Sequence, residues 1–322
     1  MVDDQKIING FQSLYDDPNI ENLFPANRPL LTHYTSIEIF ESIARSDEVW
    51  FSNPLFMNDL EELRFGVLEG SQQFLANDVI KRACGSAERT LILSNAFQRH
   101  FDQFANEHAL DVYVFCLSEH SAGDSDGLLS MWRGYGGNGK GVAIVFDTNK
   151  LDSLPRSALI LSRVVYASAE ERRQWLDEKL KEFAALLEKL NLPDEKLPLA
   201  AWVMFDRIRL FALFTKHRGF SEEKEWRVVY AKERDLEKKL DAMMGYVVGN
   251  RGVEPRLKFK IAPIEGYTAG DLSLNKIIHQ IILGPSTSSP LARMAFLRML
   301  DSIGKSDLKA RVRASGIPFR AT

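Results

Sequence analysis

Four short strand patterns constrain this chain most: Leu30–Thr35, Val112–Leu117, Val142–Phe146 and Lys224–Ala231. They are scattered among helical stretches of very unequal length. A doubly wound parallel sheet needs regular strand–helix–strand units, and few are present. The expectation is therefore α+β: a mixed β-sheet core with helices around it. Further strand patterns are read at Val49–Ser52, Leu161–Tyr166, Arg256–Ile261, His279–Leu283 and Lys309–Arg313. Helices are expected at Leu60–Cys84, Ala87–His108, Ser168–Leu190, Ala200–His217 and Leu291–Ile303. In the long helix from Ser168, Leu176, Leu180, Phe183 and Leu187 recur at steps of four and three, the mark of one buried stripe. With no repeat or low-complexity run to cut the chain, residues 1–322 are expected to form a single α+β domain, with 168–217 a helical insertion.

Composition supports a packed core: 45% of residues are apolar and 26% charged. The net charge of −3 argues against a surface that grips duplex nucleic acid through phosphates. Cys84 falls in a helical pattern and Cys116 in a strand pattern, so no disulfide framework is expected. Residues 1–17 carry acidic groups and no apolar run, unlike a signal peptide. No stretch nears the roughly 18 apolar residues of a membrane span. The cytoplasm is the expected location, with no membrane partner. No metal-binding spacing stands out.

Four polar constellations carry the chemistry. In Thr32-His33-Tyr34-Thr35-Ser36 a strand meets a helix start, where free N–H groups suit polar ligands. The same residues also read as packing and capping, with Ser36 at the N-cap. Ser52 precedes Asn53-Pro54, then Asn58, Asp59, Glu61 and Glu62; Asp59 and Glu62 have the spacing of a capping box. Met131-Trp132-Arg133-Gly134-Tyr135 opens a segment with five glycines between 134 and 141. It reads either as a stacking floor for a ligand or as a connection over a buried Trp132. In Glu223-Lys224-Glu225-Trp226-Arg227, strand alternation puts Glu223, Glu225 and Arg227 on one face and Trp226, Val228 and Tyr230 on the other. Two carboxylates so placed repel unless a cation or ligand intervenes. A salt-bridged exposed strand is the plainer reading.

In order, His33-Tyr34-Thr35-Ser36, Asn58-Asp59-Leu60-Glu61-Glu62, Leu117-Ser118, Met131 to Gly136, Gly141 to Asp147, Glu223 to Arg227 and Ile281-Ile282-Leu283-Gly284-Pro285 resemble a bacterial family of uncharacterised domains. Some of its relatives resemble abortive-infection phage-defence proteins of the AbiGi-like kind. More distantly, the layout resembles ADP-ribosyltransferases, although no Ser-Thr-Ser strand is present. That resemblance implies an ADP-ribosyltransferase-like fold and NAD as substrate, cleaved at its nicotinamide bond and transferred to a macromolecular acceptor, protein or nucleic acid. It implies that His33, with Tyr34, Thr35 and Ser52, holds NAD, that Trp132 or Tyr135 stacks on nicotinamide, and that Glu225 stabilises the oxocarbenium-like transition state. Glu223 would act on the acceptor. The alternative is a non-catalytic nucleotide- or partner-binding module of a defence system, in which Glu225 is tied to Arg227 or Lys216. A weaker third reading is a metal-dependent nuclease using Asp59, Glu62 and Glu225.

Overall fold

The computed structural model describes residues 4–16, 23–57, 60–154, 157–249 and 252–319, with the side chains of 60–65 outside the description. The helices are α1 (Asp4–Gly10), α2 (Ile37–Ser46), α3 (Leu60–Ala76), α4 (Asp78–Cys84), α5 (Ala87–Asn106), α6 (Leu129–Gly134), α7 (Ala169–Leu190), α8 (Leu197–Leu213), α9 (Leu274–Ile277) and α10 (Pro290–Ser302). The strands are β1 (Leu30–Thr35), β2 (Glu48–Ser52), β3 (Val112–His120), β4 (Val142–Asp147), β5 (Leu159–Arg163), β6 (Val165–Ala167), β7 (Thr215–His217), β8 (Glu225–Ala231), β9 (Met244–Gly249), β10 (Gly252–Lys260), β11 (Ile278–Leu283) and β12 (Val312–Ala314). The fold class is α+β, as the scattered strand patterns implied. No helix among the described residues is long and apolar enough to cross a membrane.

The chain divides into two compact units. One takes Met1–Ile20, Pro54–Asp111 and Val164–Phe220; the other takes Glu21–Asn53, Val112–Arg163 and Ser221–Thr322. The helices expected as an insertion at 168–217 thus share a unit with α1, α3, α4 and α5. Its core is aromatic: Phe74 stacks on Phe97 at 3.9 Å, and Phe183 and Phe205 close around them. Ser168 and Glu171 form a capping box at the start of α7. Arg207 is buried on α8, where its Nε donates to Leu14 O at 2.7 Å and its guanidinium lies over Trp175.

The second unit is built on one sheet, ten-stranded among the described residues, in the order β12-β11-β4-β1-β3-β2-β10-β9, with β8 also on β3 and β5 on β8. All its pairings are antiparallel except β11 with β12. One face carries Leu31, Phe51, Phe115, Leu117, Ile144, Phe146 and Trp226 into a large core. The other carries Tyr34, Ala143, Val145 and Ile282 beneath Met131 and Trp132 of α6.

Several sequence expectations shift at the level of elements. The helix expected over 60–84 is interrupted at Asn77, whose side chain caps α4 by accepting from Val79 N and Ile80 N. The strand expected over 161–166 is two strands, β5 and β6. The helix expected to run to His217 stops at Leu213, and 215–217 is a strand. Lys224 has φ of +45°, so the strand begins at Glu225 and Glu223 lies in the 3-10 turn before it. The alternation read through Glu223 therefore fails at a backbone reversal.

Candidate functional site

The site grows from β3. Along one edge β3 pairs with β8 from Val112↔Ala231 to Ser118↔Glu225. Along the other it meets β1 only over His120–Ser118, and then β2 at Val114↔Ser52. Between those contacts the seam opens, and the His33 ring fills it. Its Nδ1 lies 3.1 Å from Cys116 O, and its ring centroid is 4.5 Å from that of Phe115. A carbonyl only accepts, so Nδ1 carries the proton. Burial pushes the His33 pKa below its usual 6.5, with the Cys116 carbonyl acting the other way. His33 is a neutral packing group whose donor is already spent.

Register decides what shares a face. Thr32 pairs with Ser118, and Ser118 with Glu225, so these three side chains stand side by side on one face. Tyr34 lies two residues on, opposite Ala143, on that same face. His33 and Thr35 alternate to the other face, toward Ile144 and Val142. Ser52 shares Glu225's face, but its partner Val114 is four residues from Ser118, about 13 Å along the strand. Tyr34, Trp132, Tyr135, Glu223 and Glu225 thus gather on one side of the sheet. His33 and Thr35 lie on the other, and Ser52 lies further along.

Within the cluster, Glu225 is bound to its own strand neighbour. Arg227 Nε donates to Glu225 Oε1 at 2.7 Å, and Nη2 to Oε2 at 3.1 Å. The two residues are 4% and 6% exposed. Residues i and i+2 share a strand face, and a planar fork matches a carboxylate at that distance. Glu223 is held differently: Tyr135 Oη donates to its Oε1 at 3.2 Å, and Ser118 Oγ to its backbone carbonyl at 2.5 Å. Tyr135 is 49% exposed, so this pair is the accessible end of the cluster.

Trp132 is fully buried and offers no free ring face. Its Nε1 donates to Asp126 O at 2.8 Å, and it meets Tyr34 edge-on at 5.0 Å. The Tyr34 hydroxyl accepts from Leu128 N, and burial pushes its pKa up to about 12, the Leu128 N–H acting the other way. These bonds hold α6 on the sheet. The glycines serve the same packing. A Cβ on Gly141 would stand 2.1 Å from Thr35 O, and one on Gly136 2.5 Å from Cε3 of Trp132. Of the two readings of this segment, the connection over a buried Trp132 describes it.

Two features go beyond the sequence reading, which named Thr32 only as part of its motif and did not name Asp124 or Asp126. Thr32 Oγ1 is buried without a hydrogen-bond partner, beside Ser118. Asp124 and Asp126 shape the loop into α6, Asp124 Oδ1 accepting from Asp126 N and Gly127 N. A threonine facing inward on a buried strand was the available signal for the first. Asp59 and the side chain of Glu62 lie outside the described residues. Among the described ones, no group of three or more His, Cys, Asp or Glu gathers to hold a metal.

Residues 131–228 match the family described as a protein of unknown function (DUF2971). The matched stretch begins on α6 and ends within β8, so it spans Trp132, Tyr135, Glu223, Glu225 and Arg227 and excludes His33. No curated protein and no solved structure matches the chain.

Proposed function

We propose that this chain is a non-catalytic binding module of a bacterial phage-defence or toxin system, recognising a nucleotide or a partner protein through the α6 face of its sheet. The buried Glu225–Arg227 pair carries the reading. A carboxylate that stabilises an oxocarbenium ion must direct uncompensated charge at it. Both oxygens of Glu225 are instead occupied by one guanidinium. The exposed Tyr135–Glu223 pair is the part of this face on which a ligand would act. The defence setting rests on the ordered motifs and the AbiGi-like relatives they resemble.

One observation favours the NAD-dependent ADP-ribosyltransferase reading: Tyr34 and Glu225 share a sheet face, and Trp132, Tyr135 and Glu223 lie against that side. Incubation of the full chain with NAD separates the two. The binding-module reading expects no nicotinamide release above the buffer rate, in wild type and in Glu225→Gln alike. Release that drops about a hundredfold in Glu225→Gln, with the melting temperature unchanged, would establish the transferase.

A further inference from the structure

On the opposite face of the sheet from Glu225 the core is not closed. A pocket of about 310 Å³ opens among side chains of seven strands. Its floor is the sheet itself: Leu31 on β1, Phe51 on β2, Phe115 and Leu117 on β3, Phe146 on β4 and Phe259 on β10. Leu161 on β5 and Val228 on β8 form one side, and Tyr267 and Ala269 form another. Protein interiors seldom leave a void larger than a water. This volume sits at the lower end of the roughly 300–1,000 Å³ range of small-molecule sites. The floor side chains are themselves well packed: Phe51 stacks on Phe115, Phe115 lies against His33, and Phe51 against Phe259. Their positions are therefore set before any ligand arrives.

The charge around the pocket narrows the ligand. Asp147 and Asp152 are among its lining residues, and Asp152 and Ser153 are the exposed ones. No Lys, Arg or His lines it among the described residues. The Arg28 guanidinium stacks on Phe24, but its Nη1 donates to the carbonyls of Thr148 and Leu151 at 3.1 and 2.6 Å. Tyr267 directs its hydroxyl to Asp235 at 2.6 Å, so it presents only ring to the cavity. An anion would find the Asp152 carboxylate and, among the described residues, no lining cation. An uncharged aromatic or branched apolar group would find matching walls. An amine on that group would find the Asp152 carboxylate and ring faces.

We propose that this pocket is a binding site for a small apolar molecule, uncharged or carrying an amine, and that it excludes phosphates and carboxylates. The site is separate from the Glu225 cluster and independent of the role given to it, since alternation puts Leu117 and Ser118 on opposite faces of β3.

The test uses two fluorescent probes with similar ring systems, uncharged N-phenyl-1-naphthylamine and its anionic relative 1-anilinonaphthalene-8-sulfonate. The full chain is expected to bind the first saturably, at one per chain, and the sulfonate at least about tenfold more weakly. Val228→Phe and Leu161→Trp, each of which fills the cavity, should each weaken the uncharged probe at least about tenfold with circular dichroism unchanged. Asp152→Lys, at an exposed position, should narrow the gap between the probes. Equal binding of the two probes would overturn the proposal, as would undiminished binding of the uncharged probe in a folded cavity-filling variant. If neither filling variant folds, the Asp152→Lys comparison decides: an unmoved gap refutes the site.

Discussion

Glu225 and Arg227 show what a charged residue costs when its surroundings are dry. The pair is buried, bidentate and local, so its removal in halves and as a whole should differ. Arg227→Met removes the guanidinium from which both Glu225 oxygens accept and should destabilise the fold by roughly 3–5 kcal/mol. The Glu225→Met/Arg227→Met double variant should cost distinctly less, because the two opposite charges leave together. Urea midpoints of the three chains test this, and a double variant as unstable as Arg227→Met would show that the pair contributes through shape. Thr32 offers the complementary case. Its Oγ1 is buried without a partner, and valine has nearly the same outline. Thr32→Val should therefore be neutral or gain on the order of 1 kcal/mol, read from the same denaturant curves. A loss of that size would mean that the hydroxyl has a bound partner.

Among elements, the connection from α6 to β4 is the most tightly specified. Gly141 lies where a Cβ would strike the Thr35 carbonyl, which is backbone and cannot step aside. Gly134, at the end of α6, has open space around it. Gly141→Ala should cost more than about 2 kcal/mol, whereas Gly134→Ala should change stability by less than about 1 kcal/mol, in the favourable direction. Melting temperatures of the two single variants decide the matter, and equal effects would refute the packing account. The same stretch shows what was legible beforehand. β8 could be read from its alternation, and β4 from an unbroken apolar run between the glycines and Asp147. α6 could not, because six residues ending in glycine carry too little periodicity. Glu223 was misplaced because alternation continues on paper through Lys224, while a positive φ stops it in the chain. The Glu225–Arg227 pair was among the readings, since i and i+2 on a strand admit it. The apolar pocket was not, because its walls come from seven strands whose relative positions no local pattern encodes.

At the scale of the whole molecule, burial sets the response to acid. His33, His100 and His120 all have pKa values below the usual 6.5, each chiefly because burial disfavours the charged ring. Below that pH the unfolded chain takes up protons that the folded chain refuses. The contribution to stability is therefore complete above about pH 6.5 and falls away as pH drops through the lowered folded-state values. Urea midpoints should be flat from pH 7 to 8 and decline below 6.5, and His33→Asn should make the decline shallower. A slope untouched by that change would clear His33 of the effect. The sheet has a second consequence, felt before the protein exists in finished form. The hydrogen bond from Ser118 to Glu223 joins positions 105 residues apart, and β3 cannot acquire its β8 neighbour until Glu225–Ala231 has been made. At roughly 5–20 residues per second on the ribosome, the apolar strand Val112–Leu117 waits some 5–20 seconds with that edge unpaired. Nascent chains of this protein should therefore depend on chaperone holding during synthesis, and a slower ribosome should lengthen the interval in which they aggregate.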